Sequence, residues 1–430
     1  MSFREGSRPL LLSTCRALRG VAQGYLLATL LPDLHALGWS SLGWGSLLSS
    51  ALLADFLLTA AIGILADHFP PGRILLAGDL LGFLSPIPYL VHPGPIPLAA
   101  ALILSGAGQR SNGSPGPWAP PEQVLLARHP APPGHPFGHF GRNMAAGLLG
   151  MSAGALLAWA NPLSPAAGIR AGLAGLSGLS LAAVLLILWL PEAPSPLPPP
   201  PETASRRPIS SLPLEAEEKR RMSILVLCNI LGGLSLGLVD PVIATWFLLR
   251  FHSGTSRTAF FLSMAFLAAA AVALALGWRT RPRALPAIVI WLQSIALAAA
   301  LLLPFAPSLI PAAVLYAIRM AGTRAPGGIR QALALTLLPH HRSGLASGLH
   351  LSSLQVAQIA GPLFAGFLWH AGRTDTPLVV ASLLSALSLA LFWHLYRSAQ
   401  AASSRDPEEL HSLAPAQAIR APGESDRFYR

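Results

Sequence analysis

Twelve apolar runs follow one another along a chain of 430 residues, each close to the ~20 residues that a helix needs to cross a hydrocarbon core about 30 Å thick. No water is available there to satisfy backbone groups, so such runs must form helices whose hydrogen bonds are internal to each segment. The first six are Leu10 to Leu31, Trp44 to Ala66, Ile74 to Val91, Ile96 to Ala127, Phe140 to Ala160 and Ile169 to Leu190. After a gap come Met222 to Leu249, Thr258 to Trp278, Leu285 to Phe305, Leu309 to Leu338, Leu345 to His370 and Leu378 to Tyr396. Six and six around one gap predict an all-α membrane protein of two six-helix bundles. Composition agrees, with 53% hydrophobic and 11% charged residues, against about a quarter charged in soluble domains.

The division follows from the same pattern: a first bundle over 1–190, a linker over 191–221, a second bundle over 222–397 and a tail over 398–430. The linker is rich in proline and then in charge, which makes an extended spacer, with a short surface helix possible over LPLEAEEKRR. The tail is polar and of mixed charge, and disorder is expected there. The first run follows Arg4 and Arg8 and itself contains Arg16 and Arg19, so it reads as a retained span and not as a cleaved leader. Basic residues set the topology. Loops on the N-terminal side carry Arg73, Arg128, Arg142, Arg206, Arg207, Lys219, Arg220, Arg221, Arg279, Arg281, Arg283 and Arg342, against Arg170, Arg250, Arg257 and Arg373 on the other. Both termini are therefore expected in the cytoplasm, with the chain in the cytoplasmic (inner) membrane. The net charge of +11 is a topological device, and no basic patch interleaved with aromatics marks nucleic acid as a partner. Cys15 and Cys228 sit inside the first and seventh runs and read as small packing residues.

The tenth run carries Arg319, Arg324 and Arg330. A guanidinium in hydrocarbon costs roughly 2.5–3.5 kcal/mol on insertion scales, so all three must face protein or water. The fourth run echoes it: Glu122-Gln123 stands where the tenth has Arg330-Gln331, and Arg110 falls near Arg319. A second echo aligns Cys15, Leu18, Gly20 and Gly24 with Cys228, Leu231, Gly233 and Gly237. Duplicated halves with broken, charged helices at matching places point to a cavity between them.

Between the second and third runs stands Gly63-Ile-Leu-Ala-Asp67-His-Phe-Pro-Pro-Gly-Arg73. This resembles the signature loop of the major facilitator superfamily, written G-x-L-A-D-R-x-G-R-R/K. Twelve runs in two sixes, the central linker, Gly361-Pro362 in the eleventh run, and the tenth-run pattern of Arg319, Arg330-Gln331 and Pro339-His-His-Arg-Ser343 extend the resemblance to Arg397, closest to drug-efflux-type and uncharacterised bacterial members. It implies secondary transport by alternating access. It further implies that Gly63, Asp67 and Arg73 latch the cytoplasmic side, although Pro70, Pro71 and Gly72 replace the usual glycine and basic residues. In that family the fourth and tenth spans face each other, so Glu122 and Arg330, with Gln331, are expected to meet as a partly exposed gate near the cytoplasmic surface, with a snorkelling Arg330 and a merely solvated Glu122 as the equal alternative.

The remaining charges inside runs are candidate site residues. Arg19 lies nine residues into the first run, about 13 Å deep, with Gln23 one turn on. Together with Arg110, Asn112, Arg319 and Arg324 these are expected to line the cavity and bind cargo, Arg19 reading alternatively as half of a structural ion pair, and their positive excess points to an anion. Arg16 is shallower and reads equally as snorkelling. Asp55 lies about 18 Å along the second run from Asp67, and Asp240 precedes Pro241 in a run that the proline must break. These two carboxylates are candidates for coupling to protons, Asp55 reading equally as a packing residue. Asp33, Asp79 and His370 stand near run ends and read as solvated, Gln355 and Gln358 as interhelical hydrogen-bonders, and Trp278 and Tyr396 as interface anchors.

The expected partners are a small-molecule solute, a proton or other coupling ion and the lipid bilayer. No cofactor or metal is expected, and the chain is expected to act as a monomer. An enzyme is disfavoured, since neither H-E-x-x-H nor G-x-S-x-G occurs and His340-His341 lacks evident co-ligands. Two alternatives stay open: an exporter of amphiphilic cations, and a transport-inactive scaffold or sensor of the same fold.

Overall fold

The computed structural model describes residues 8–65, 69–105, 119–127, 138–189, 216–279, 285–327 and 343–403. Helices account for nearly all of them. The first half holds α1 (Arg8–Ala36), α2 (Ser41–Leu65), α3 (Pro71–Leu84), α4 (Ile87–Val91), α5 (Pro95–Leu104), α6 (Ala119–Ala127), α7 (Gly138–Ala160) and α8 (Pro165–Leu188). The second holds α9 (Ala216–Val239), α10 (Ile243–Phe251), α11 (Thr255–Arg279), α12 (Leu285–Leu302), α13 (Leu309–Arg324), α14 (Ser343–His370) and α15 (Thr376–Ser403). Among the described residues eight stretches are long and apolar enough to cross a membrane, α3 and α4 counting as one and α12 extended to Phe305. The places of the first, fourth, tenth and eleventh runs are taken by α1, the α5 and α6 pair, α13 and α14, which carry arginines, Glu122 or Pro362.

Prolines punctuate these helices as their chemistry requires. Pro71, Pro95 and Pro165 open α3, α5 and α8, where a missing N–H costs no hydrogen bond. Pro241 ends α9, because the ladder has no donor there, and the chain resumes as α10 two residues later. The expected linker is shorter in extent than its sequence boundary, since Ala216 already begins α9; residues 190–215 and 404–430 lie outside the described residues.

Packing repeats between the halves. α1 lies on α7 and α8 as α9 lies on α14 and α15. The glycine echo explains the closeness. A Cβ on Gly24 would stand 2.1 Å from Met151 O, and one on Gly237 would stand 2.5 Å from Gln358 O. The cysteines occupy matching niches, Cys15 Sγ donating to Ala183 O on α8 and Cys228 Sγ to Ser388 O on α15. Two seams join the halves, α7 on α11 and α2 on α14. One continuous apolar core crosses both, including Leu30, Trp44 and Met151 from the first half and Leu238, Trp246 and Phe266 from the second.

Candidate functional site

α1 begins at what we term the near end of the bundle, and the other end is the far end. Near mid-bundle in the second half, the break at Pro241 leaves Asp240 at the terminus of α9, its N–H still bonded to Leu236 O at 3.0 Å. Asp240 is buried and accepts from Arg319 Nη1 at 3.1 Å, while its second oxygen pairs with Arg324. Arg319 lies ten residues into α13, about 15 Å along the axis. One carboxylate thus serves two guanidiniums. A guanidinium has five N–H donors, and Arg319 commits one of them to Asp240. Tyr316, one turn earlier on α13, places its ring 5.9 Å from the Arg319 guanidinium. Beside Arg319 is a cavity of about 10 Å³, lined also by Ser235, Ser382 and Ser385, room for about one water.

The first half holds a second cluster. Arg19 on α1 grips Asp79 on α3 with Nε and Nη2, both at 2.7 Å, a bidentate geometry that arginine alone among cations provides. Its Nη1 reaches Glu122 Oε2 on α6 at 3.1 Å, and Arg16 Nη1 reaches Glu122 Oε1 at 2.9 Å. Asn143 Nδ2 on α7 donates to the same Oε1. All five side chains are buried, Glu122 and Asn143 almost completely. Two cations face two anions, so this cluster is balanced in charge.

The far ends of the halves are joined. Trp44 on α2 meets Trp369 on α14 edge to face at 5.4 Å, and Leu363 N donates to Ser49 Oγ at 3.1 Å. Backbones nearly touch there, with Gly45 against Pro362 O and Gly366 against Ser41 O. The α7–α11 seam is held at the far end by Ser256 Oγ donating to Trp159 O and at its middle by Ser152 with Ser263. Towards the near end Gly141 approaches Gly277.

Solved structures share this arrangement. The human organic anion transporter MFSD10 superposes with a TM-score of 0.68 at 15% identity, over 91% of this chain and 100% of that one. The nucleoside transporter NupG gives 0.66 at 13%, over 90% and 98%, and a D-xylose-proton symporter gives 0.65 at 14%, over 91% and 97%. The chain has the major facilitator fold. No family model and no curated protein matches the sequence itself.

Within the major facilitator fold the expected site residues separate into three groups. Arg319, Arg324 and Asp240 come together at the helix break, and of the two arginines Arg319 borders the small cavity. Arg19 is turned instead to Asp79 and Glu122, a structural pairing in this conformation. Glu122, expected as a partly exposed gate residue, is fully buried and held by Arg16, Arg19 and Asn143 of its own half. That placement corrects the surface position expected for it: α6 sets the carboxylate against α1 and α7, where three donors of its own half meet it. Asp79 and Asp33, read as solvated, are likewise buried. Asp55 is buried on α2, Gln23 is half-buried on α1, Gly63 lies in the last turn of α2, and Arg73 is exposed on α3. Arg110, Asn112, Asp67, Arg330 and Gln331 lie outside the described residues. Among the described residues no group of three His, Cys, Asp or Glu side chains has a metal-binding arrangement. Sequence reasoning missed the Asp79 and Asn143 partners and Tyr316; the unmet need of Arg19 for a counter-charge was the signal for Asp79.

Proposed function

We propose that the chain is a secondary active transporter that carries a small organic anion together with a proton, by alternating access between its two halves. The observation that carries this reading is the sharing of Asp240 by Arg319 and Arg324 at a helix break about halfway through the bundle. When Asp240 is ionised it is the counter-charge of both guanidiniums. When it takes a proton they lose that partner, and an oxyanion on the cargo replaces it. Proton and anion therefore favour each other, and a ligand that prefers one state of a two-state bundle shifts it in proportion to that preference. Transporters of an organic anion and of a sugar with a proton share the fold, which supports transport without naming the cargo. We place the near end, the termini and the linker in the cytoplasm of a cell whose inner membrane holds the chain as a monomer. The far-end contacts then describe a state closed to the outside. Asp67 and Arg73 remain the proposed latch and Asp55 a second proton candidate.

The test is a proteoliposome assay in which a mixture of organic anions is offered under an imposed proton gradient and the accumulated solutes are identified by mass. Accumulation that collapses with the gradient, and in Asp240→Asn, is expected. Preference for permanent cations such as tetraphenylphosphonium, or full substrate-driven proton movement in both Asp240→Asn and Asp55→Asn, would overturn the reading.

A further inference from the structure

Tyr316 is 1% exposed, yet its hydroxyl has no hydrogen-bond partner among the described residues. A buried hydroxyl left unmade is costly, and such groups in folded proteins call for an explanation. Thr245, five residues past Asp240 on the first turn of α10, is in the same situation. Both hydroxyls sit on the helices that flank the Asp240 cluster.

The surroundings of Tyr316 have two characters. Against its ring lies the Arg319 guanidinium. Also against it is Phe247, edge-on at 5.9 Å, which packs against Trp246 at 5.3 Å, and Trp246 packs edge-on against Phe251 at 5.5 Å. These three rings belong to α10, the segment that begins directly after the break. A cargo whose oxyanion takes the place of Asp240 on Arg319 would bring its body alongside Tyr316 and this aromatic wall. Ring edges and faces there favour another ring over a saturated body, beyond area alone.

We propose that the cargo is an aromatic carboxylate or a similar flat organic anion, and that Tyr316 is its specificity-determining contact. The phenol O–H donates to a carboxylate oxygen held by Arg319, and the phenol ring with Phe247 receives the body of the cargo. This rests on the anion-transport reading above. It goes further in naming both the ring and the hydroxyl that select.

Three probes of one charge separate the parts: benzoate, cyclohexanecarboxylate and acetate, each measured for binding to the full chain in lipid nanodiscs at mildly acidic pH. Benzoate is expected to bind more tightly than cyclohexanecarboxylate, and both more tightly than acetate. Tyr316→Phe should weaken all carboxylates about ten- to a hundredfold, the worth of one hydrogen bond to a charged group, while keeping the benzoate preference. Tyr316→Leu should abolish that preference. Since Tyr316→Phe keeps the ring and its packing, loss of fold is not its expected effect, and Phe→Tyr-reverted protein provides the reference. Equal affinity for the two ring acids, or carboxylate binding untouched in Tyr316→Phe, overturns this inference and leaves anion transport standing. Binding of tetraphenylphosphonium in preference to all three acids overturns both.

Discussion

Removing the charge of Glu122 is the most informative perturbation of the first-half cluster. Its carboxylate accepts from Arg16 at 2.9 Å, Arg19 at 3.1 Å and Asn143, with no part of it exposed. Glu122→Gln keeps the volume and an acceptor for Asn143 but leaves two guanidiniums facing Asp79 alone. Breaking a buried pair by deleting one partner costs about 3–5 kcal/mol, chiefly through the charge left behind; a retained acceptor puts this variant near ~3 kcal/mol. Arg16→Met alone leaves two carboxylates on Arg19 and should cost a similar amount. The double variant returns to balance, because Arg19 and Asp79 keep both of their 2.7 Å bonds. It should be more stable than either single variant, with a coupling of at least about 2 kcal/mol where independent sites would show none. Unfolding in mixed micelles, followed by the fluorescence of the 10 tryptophans, measures all four proteins. A double variant whose loss equals the sum of the two single losses would refute the charge-balance argument.

Three further outcomes follow from the packing. Gly24→Ala and Gly361→Ala each place a methyl about 2.1 Å from the backbone of a facing helix, so each should lose about 1–3 kcal/mol by overpacking; Gly175→Ala, with nothing within 4 Å, should gain up to about 1 kcal/mol from helix propensity, and thermal unfolding orders the three. Trp369→Ala removes the edge-to-face contact with Trp44, worth about 0.5–1.5 kcal/mol; a cysteine introduced at Ser49 should then be labelled faster by a membrane-impermeant thiol reagent added from the far side, and an unchanged rate counts against closure by this pair. The native Cys15 and Cys228, both buried, should stay unlabelled in the folded protein and react only on unfolding, which a mass count of modified thiols checks.

Much of the fold was legible because it rests on local features. Run length prescribes a crossing helix, and Pro241 dictates a break wherever the surrounding chain goes. The cysteine and glycine echo was legible too, since duplicated halves keep the same small residues where backbones meet. Ion pairs were not. Arg19 and Asp79 lie 60 positions apart, and pairing between helices has no fixed spacing to read, unlike the three- and four-residue spacing within one. Depth failed for the same reason at Glu122: counting residues from the outer end of the run put the carboxylate near the inner surface, whereas its burial is set by Arg16, Arg19 and Asn143 on other helices. Arg319 and Arg324 were recognised as costly, but that one aspartate would answer both could not be read from their spacing.

The small void beside Arg319 gives that side chain somewhere to turn. Protein interiors are packed as densely as organic crystals, so a side chain with no adjacent free volume cannot change rotamer without moving its neighbours. Here Ser382 gives its hydroxyl proton to Leu378 O, and Ser235 Oγ lies 2.7 Å from both Ala381 O and Ser385 Oγ. A serine oxygen whose proton is committed offers a lone pair, which suits a guanidinium donor. On the transport reading proposed above, the arginine would have two addresses, the Asp240 carboxylate it holds and the neutral serine oxygens across the void, with the charge on Asp240 deciding between them.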